Sequence, residues 1–348
     1  MDTVERALRM RSMHRAGPHR ATVLALVGGL LALLLAVALS LAVGARTVAP
    51  AVVWQSLTAY DGSLADHVVV HSRLQRTIAG IAVGAALAVA GAAMQGMTRN
   101  PLADPGILGL NAGASAAVVL GIYIASISQV TEFMVLAFLG AGVGTVLVYS
   151  IASVGRDGAT PVKLALAGAA LTAGLASLVN ALVLLDQASL DRMRFWQVGT
   201  LGARSLGDVA TVGGFMLLGA VIVVLATSTL NALALGDEAA IGLGVRVRRA
   251  RIALGLAIIL LCGGAVALAG PIGFLGLVVP HAARLAVGGD YRRIVPLCLL
   301  AGPVLILVAD VVGRVIAPPA EVQVGVMTAL IGVPVFVVLI RTRRQVGL

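Results

Sequence analysis

The chain has 348 residues, of which 59% are apolar and only 11% charged, and its mean hydropathy is +1.04. Soluble domains carry roughly 25% charged residues, so this composition excludes a water-soluble fold and predicts an integral membrane protein. A membrane-spanning helix needs about 20 apolar residues, so the apolar residues would fill about ten helices and leave little chain for a soluble catalytic domain. The basic residues behind the net charge of +10 lie between apolar runs, which favours a topological role over nucleic-acid binding.

The N-terminal segment 1–21 holds five arginines and precedes an apolar run at 22–44. A signal peptide has an apolar region of only about 7–15 residues, so this longer run is interpreted as a retained first span behind a cytoplasmic tail. Nine further apolar stretches follow, at 77–97, 106–127, 131–153, 161–185, 209–229, 251–270, 274–287, 294–316 and 323–340. They predict an all-α polytopic membrane protein of about ten transmembrane helices. A single transmembrane domain then covers 22–340 and a basic tail covers 341–348.

The basic residues test this count, because Lys and Arg are retained on the cytoplasmic side of a membrane. With ten spans and the N-terminus inside, 18 of the 25 basic residues fall in cytoplasmic segments. The split predicts that both termini are cytoplasmic. Removing one span from the last third of the chain would invert everything that follows it.

Small residues recur at helical spacing in several of the predicted spans. Pairs of glycines four residues apart occur at Gly80/Gly84, Gly109/Gly113 and Gly140/Gly144. Within a membrane, such residues allow two helix backbones to approach closely, since packing replaces the hydrophobic driving force. We interpret them as helix contacts rather than as parts of a pore.

The sequence shows no constellation for catalysis or metal binding. It lacks G-x-x-x-x-G-K-[ST], so it has no P-loop for ATP. Cys262 and Cys298 lie in separate apolar runs, which is typical of small core residues. His67 and His71 are predicted to form a surface pair, because no third metal ligand is nearby. An intramembrane enzyme is disfavoured for the same lack of a catalytic set.

One carboxylate stands out inside a predicted span, because buried acidic groups are costly in a membrane and mark functional candidates. This residue, Asp310, is followed four residues later by Arg314. The spacing puts both side chains on one face of a helix and favours a local ion pair over a proton relay. An ion- or proton-coupled carrier is kept as the alternative function.

Two polar segments interrupt the apolar pattern. Residues 230–251 are too polar to span, yet apolar residues recur there at helical spacing and glycines break the segment into short pieces. They predict short amphipathic helices that lie either in a partner's groove or on the lipid surface. In residues 99–113, Pro101 and Pro105 break the helix, and Asn100 and Asp104 can bond the freed backbone groups. Broken segments of this kind often line a pathway.

At these segments the sequence resembles the FecCD-type permeases of type II ABC importers, the group of iron-siderophore, haem and vitamin B12 permeases. The matching stretches are RLQRTIAGIAVGAALAVAGAAMQGMTRNPLADPGILGLNAGAS (73–115), FWQVGTLGARS (195–205), LNALALGDEAAIGLGV (230–245), GPIGFLGLVVPHAARL (270–285) and the ending from 309 to 344. They follow the family order over nearly the whole chain. The resemblance implies ten helices per subunit, with two permease subunits, identical or paralogous, framing one pathway.

The resemblance also implies residue roles. It makes the segment at 230–251 a coupling loop for the ATPase pair, with Ala234, Leu235, Gly236, Asp237, Glu238 and Leu243 as its contact residues. It places Asn100 and Leu102 at a cytoplasmic gate. It further assigns Arg73, Arg76 and Arg314 to docking of an extracytoplasmic substrate-binding protein.

The function implied is that of a permease subunit in a bacterial cytoplasmic (inner) membrane, which is itself not an enzyme. It would move a metal chelate inward, with a ferric siderophore as the first candidate and haem, cobalamin and oxyanions as others. The chain itself would hold no cofactor or metal, since the partner ATPase binds ATP and Mg²⁺.

Overall fold

A computed structural model describes residues 18–127, 129–154, 160–185, 197–202, 205–318 and 320–344. Residues 1–17 of the basic tail, residues 195, 196, 203 and 204 of the motif at 195–205 and the last four residues of the chain lie outside this part. So do Arg156, Arg192, Arg194 and Arg204, which entered the topology count.

The described part consists of helices joined by short non-helical segments. Proline does not always end a helix here, since Pro280, Pro296 and Pro334 lie inside helices. The first half contains α1 (Pro18–Ala42), α2 (Pro50–Thr58), α3 (Ala65–Thr98), α4 (Leu110–Ala125), α5 (Val130–Ala152) and α6 (Pro161–Leu185). The second half contains α7 (Leu206–Leu225), α8 (Thr227–Ala234), α9 (Asp237–Gly242), α10 (Val247–Ala269), α11 (Leu275–Val287), α12 (Tyr291–Val315) and α13 (Val324–Arg344). A single 3₁₀ turn, Pro105–Leu108, precedes α4.

Each of the ten predicted spans corresponds to one helix of the described part, which confirms the all-α polytopic fold. Seven of these helices are long and apolar enough to cross a membrane, and three shorter apolar helices, α4, α11 and α13, accompany them. Two of the short ones follow irregular backbone: α4 follows the 3₁₀ turn, and α11 follows the non-helical residues 270–274. Two amphipathic helices, α8 and α9, lie between α7 and α10, as the polar segment predicts.

The third helix, α3, is the centre of the bundle, with 78% of its most apolar window buried. It packs against α1, α7, α10, α11 and α12. Its 34 residues correspond to about 51 Å at 1.5 Å per residue, whereas the hydrocarbon core of a membrane is about 30 Å thick. The predicted span 77–97 is therefore only the apolar part of a longer helix that begins at Ala65.

Glycines allow the closest helix contacts, as predicted. A Cβ built on Gly84 of α3 would lie 2.7 Å from the backbone of Gly302 and Pro303 in α12. A Cβ on Gly113 of α4 would likewise overlap the backbone of Gly140 in α5. The pairs of small residues therefore bring α3 against α12 and α4 against α5, backbone to backbone.

We expect Gly84→Ala to destabilise the protein by about 1–3 kcal/mol, because the added methyl group must displace the α12 backbone. Gly174→Ala on α6 is the matched control, since nothing lies within 4 Å of a Cβ at that position. The measurement is thermal unfolding of the two purified variants in the same detergent. Equal unfolding temperatures would contradict the close α3–α12 contact.

Candidate functional site

Five charged residues converge at the end of the bundle where α3 begins and α12 ends. This arginine cluster consists of Arg73 and Arg76 on α3, Asp310 and Arg314 on α12, and Glu321 in the loop before α13. The Asp310 carboxylate, whose side chain is fully buried, lies at its centre. Arg76 donates to its Oδ1 from Nε at 2.9 Å and from Nη2 at 2.7 Å. Arg314 Nη2 lies 3.1 Å from Oδ2, which confirms the predicted ion pair.

Three further contacts tie Arg76 and Arg314 to neighbouring elements. Arg76 Nη1 lies 2.7 Å from Glu321 Oε2, at the partly exposed edge of the cluster. Arg314 donates to the carbonyl and the hydroxyl oxygen of Ser40 in α1, each at 3.0 Å. The buried carboxylate is paired in charge with two guanidinium groups, as buried charges require. Its hydrogen bonds come from Arg76 to Oδ1, whereas Asp310 Oδ2 and Arg314 Nε have no hydrogen-bond partner among the described residues.

Arg73 binds the backbone at the end of α1. Its Nη1 donates to the carbonyl oxygens of Leu41 and Ala42 at 3.0 Å, and its Nη2 donates to the carbonyl oxygen of Arg46. The last carbonyls of a helix have no partner within the helix and carry partial negative charge. Arg73 therefore caps α1 and fixes its end against α3.

The other end of the bundle carries the coupling segment, which we define as residues 227–245. Leu233 and Ala240 are buried in the bundle, whereas Leu235 and Leu243 are 70% and 65% exposed. Gly236, with φ of +112°, makes the sharp turn between α8 and α9. The two short helices therefore anchor one apolar face and present a second one outward.

Polar contacts hold the coupling segment against three long helices. Asp237 lies 3.0 Å from Arg251 of α10 and 3.7 Å from Arg99 at the end of α3. Asn231 Nδ2 donates to Asp290 Oδ1 at 2.6 Å, and Asn231 Oδ1 accepts from the N–H of Tyr291 at 2.9 Å.

Asp290 is therefore both the N-cap of α12 and the acceptor for the coupling segment. Its N-cap bond comes from the N–H of Arg292. Burial opposes ionisation of this carboxyl, but the bonds from Asn231 and Arg292 and the nearby arginines lower its pKa below the ordinary value. A carboxylate charged in this way is a strong acceptor for both contacts.

The segment between α3 and α4 breaks as predicted. Arg99 ends α3 in the left-handed region with φ of +54°. Asn100 Oδ1 accepts from the N–H of Leu102 at 2.9 Å, and Asp104 Oδ1 accepts from the N–H of Gly106 at 2.7 Å. Burial raises the pKa of Asp104. Leu102 is half exposed at the tip of this segment.

The predicted surface pair of histidines is wrong for His67, because that side chain is 1% exposed. Its Nδ1 accepts from the N–H of Asp61 at 3.0 Å, so it closes the turn before α3. His71 is exposed, as expected. Among the described residues no group of three His, Cys, Asp or Glu side chains could hold a metal ion. Cys262 and Cys298 are free and buried, as predicted for core residues.

Comparison with known proteins decides the family. The model of the FecCD transport family matches residues 30–342, which is most of the chain. The chain belongs to the FecCD transport family.

Two curated relatives cover nearly the full length. The chain is 44% identical over 324 residues to the ferric enterobactin transport system permease protein FepD of Escherichia coli (strain K12), covering 93% of this chain and 97% of FepD. It is 36% identical over 326 residues to the hemin transport system permease protein HmuU of Yersinia pestis, covering 92% and 96%. A solved metal-chelate type ABC transporter in an inward-facing conformation superposes with a TM-score of 0.79 at 28% identity, covering 91% of this chain and 98% of the other.

In this FecCD chain the three arginines predicted to dock a binding protein do lie at one end of the bundle. However, Arg73 and Arg314 are 8% and 2% exposed, and their guanidinium groups bind atoms of this chain. Only Arg76 keeps a partly exposed edge, next to Glu321. Docking of a partner stays a prediction, and it would have to use that edge or rearrange the cluster.

The sequence pattern does not predict three of the contacts in the cluster, which are Arg76 with Asp310, Arg76 with Glu321 and Arg314 with Ser40. Arg76 meets Asp310 across 234 positions of the sequence, and neither Glu321 nor Ser40 lies in a motif that indicates a partner. The i,i+4 spacing could reveal only the pair within α12.

We expect Asp310→Asn to destabilise the protein by about 3–5 kcal/mol, because it leaves two arginines with no buried counter-charge. Glu321→Gln is the control: it removes a partly exposed partner of the same arginine and should cost less than about 1 kcal/mol. Thermal unfolding in detergent measures both. Similar losses in the two variants would show that Asp310 does not hold the cluster together.

Proposed function

We propose that this chain is the membrane-spanning permease subunit of an ATP-binding-cassette importer. In this proposal it moves a metal chelate into the cytoplasm and is powered by a separate pair of ATPase subunits that bind ATP and Mg²⁺. Its other partners would be a second permease subunit, identical or paralogous, an extracytoplasmic substrate-binding protein and the lipid bilayer. The protein would lie in a bacterial cytoplasmic membrane, with both termini on the cytoplasmic side, as the arginine distribution predicts.

The observation that carries the proposal is the exposed apolar face of the coupling segment. Leu235, Ile241 and Leu243 are each more than 60% exposed on short helices that are themselves fixed to the bundle. Exposed apolar side chains grouped in this way mark an interaction surface. Asp237 lies between Arg99 and Arg251, so a force applied by a partner at this face would reach α3 and α10 directly.

The relatives point to the class of cargo. They include permeases named for ferric enterobactin, hemin and, in a Bacillus subtilis protein 43% identical over 307 residues, Fe(3+)-citrate. The shared chemistry is an iron chelate, and a ferric siderophore is the first candidate. We propose Asn100 and Leu102 as the cytoplasmic gate, because the half-exposed Leu102 stands on a loop whose backbone is held by side-chain bonds.

An ion- or proton-coupled carrier is the second candidate, and Asp310 is the residue that would support it. A proton relay needs a carboxyl group that can release and take up a proton during transport. Arg76 and Arg314 hold the Asp310 carboxylate in ion pairs instead. We therefore favour the ATP-driven importer.

We expect Leu235→Glu to reduce the amount of ATPase that co-purifies with the chain by at least tenfold, because it puts a charge into a desolvated contact. The matched control is Leu64→Glu, which changes an exposed leucine at the opposite end of the bundle. Quantitative mass spectrometry of the affinity-purified complex from native membranes measures the effect. Normal ATPase recovery with Leu235→Glu at normal membrane insertion would rule out the coupling segment as the docking surface.

A further inference from the structure

A cleft of about 800 Å³ opens between the second half of α5 and the first half of α10. Its walls are Val146 and Tyr149 on α5 and Ile252, Leu256 and Ile259 on α10, and Ile241 of the coupling segment lies at its end. Binding pockets for molecules of drug-like size measure about 300–1,000 Å³. The proposed ATP-driven transport uses Ile241 and the Asp237–Arg251 pair at one end of the cleft, but it assigns no role to the walls on α5 and α10.

The cleft exists because the two helices diverge. Near the middle of the bundle they are in contact, since a Cβ on Gly263 of α10 would lie 3.2 Å from the Phe138 ring of α5. Toward the coupling segment they separate, and nothing lies within 4 Å of a Cβ on Gly255. The space between them is therefore built into the packing of two long helices.

The walls of the cleft are apolar at a depth where a membrane is apolar. Ile259 lies twelve residues after Val247, the first residue of α10, which is about 18 Å along the helix. The hydrocarbon core is about 30 Å thick, so the cleft reaches into it. Val146 and Leu256 are 58% and 54% exposed, so the cleft opens outward. An acyl chain is the occupant that matches these walls.

The mouth of the cleft carries positive charge. Arg248 and Arg251 line it together with Asp237, Ser150 and Ser153. Asp237 pairs with Arg251, whereas Arg248 is exposed and forms no ion pair with any described residue. A free guanidinium group can bind a phosphate with two parallel hydrogen bonds.

We propose that this cleft binds one anionic phospholipid of the cytoplasmic leaflet, with its phosphate at Arg248 and one acyl chain between α5 and α10. The charge at the mouth selects an anionic headgroup, and the depth of the walls selects a lipid over a protein segment. The leaflet follows from the arginine-rich end of α10, because basic residues are retained on the cytoplasmic side.

The test uses the full-length protein in nanodiscs of phosphatidylcholine that contain a small share of phosphatidylglycerol with a photoreactive acyl chain. After illumination, mass spectrometry should find the label on residues 146–152 of α5 and 252–259 of α10. Arg248→Gln should reduce this capture about fivefold. Gly255→Leu should also reduce it, since the new side chain fills the space of the acyl chain without a clash.

Each variant has a matched control. Arg249→Gln removes a neighbouring exposed arginine that does not line the cleft, and Gly214→Leu adds a side chain at an open position on α7. Both should retain capture. Because the two test variants act on the headgroup and the acyl chain separately, misfolding of one leaves the other informative.

Four results would overturn the proposal. The first is equal capture by all four variants. The second is equal capture of photoreactive phosphatidylcholine, which would show that Arg248 does not select an anionic headgroup. Displacement of the labelled lipid by millimolar inorganic phosphate would also overturn it, because Arg248 would then bind free phosphate. The last is loss of capture when the ATPase subunits are bound, which would assign the cleft to a protein partner.

Discussion

The contact between α3 and α12 is the constraint on which the other features depend. Gly84 and Gly302 leave no room for a side chain between the two backbones, so these helices lie closer than bulky residues would allow. Because they run in opposite directions, the start of α3 meets the end of α12, and Arg76 reaches Asp310 there. A larger residue at either glycine would push α3 and α12 apart and so lengthen the distance between Arg76 and Asp310.

The same pair of helices joins the two ends of the molecule. At the end of α3, Arg99 lies near Asp237 of the coupling segment, and at the start of α12, Asp290 and Tyr291 bind Asn231. At the other end, Asp310 and Arg314 complete the arginine cluster. A movement of the coupling segment would therefore be transmitted along α3 and α12 to a cluster whose buried charges tolerate little separation.

Much of the fold can be predicted from the sequence, because hydropathy marks the spans and Pro101 and Pro105 mark one helix break. The helix break at Pro101 and Pro105 and the Asp310–Arg314 pair are local patterns, and the structure confirms both. The burial of His67 and the Arg76–Asp310 contact are not local, since each depends on which helices become neighbours. Hydropathy also does not predict where α3 begins, because its first turns contain polar residues whose partners lie elsewhere in the chain.

Transport itself tests the central claim most directly. The complex purified through this chain from native membranes would be reconstituted into liposomes and supplied with radioactive iron as a ferric siderophore, together with any co-purifying binding protein. Uptake is predicted to require ATP on the ATPase side and to be absent when a pH gradient is imposed without ATP. Uptake driven by the pH gradient alone would contradict an ATP-driven importer and support a proton-coupled carrier instead.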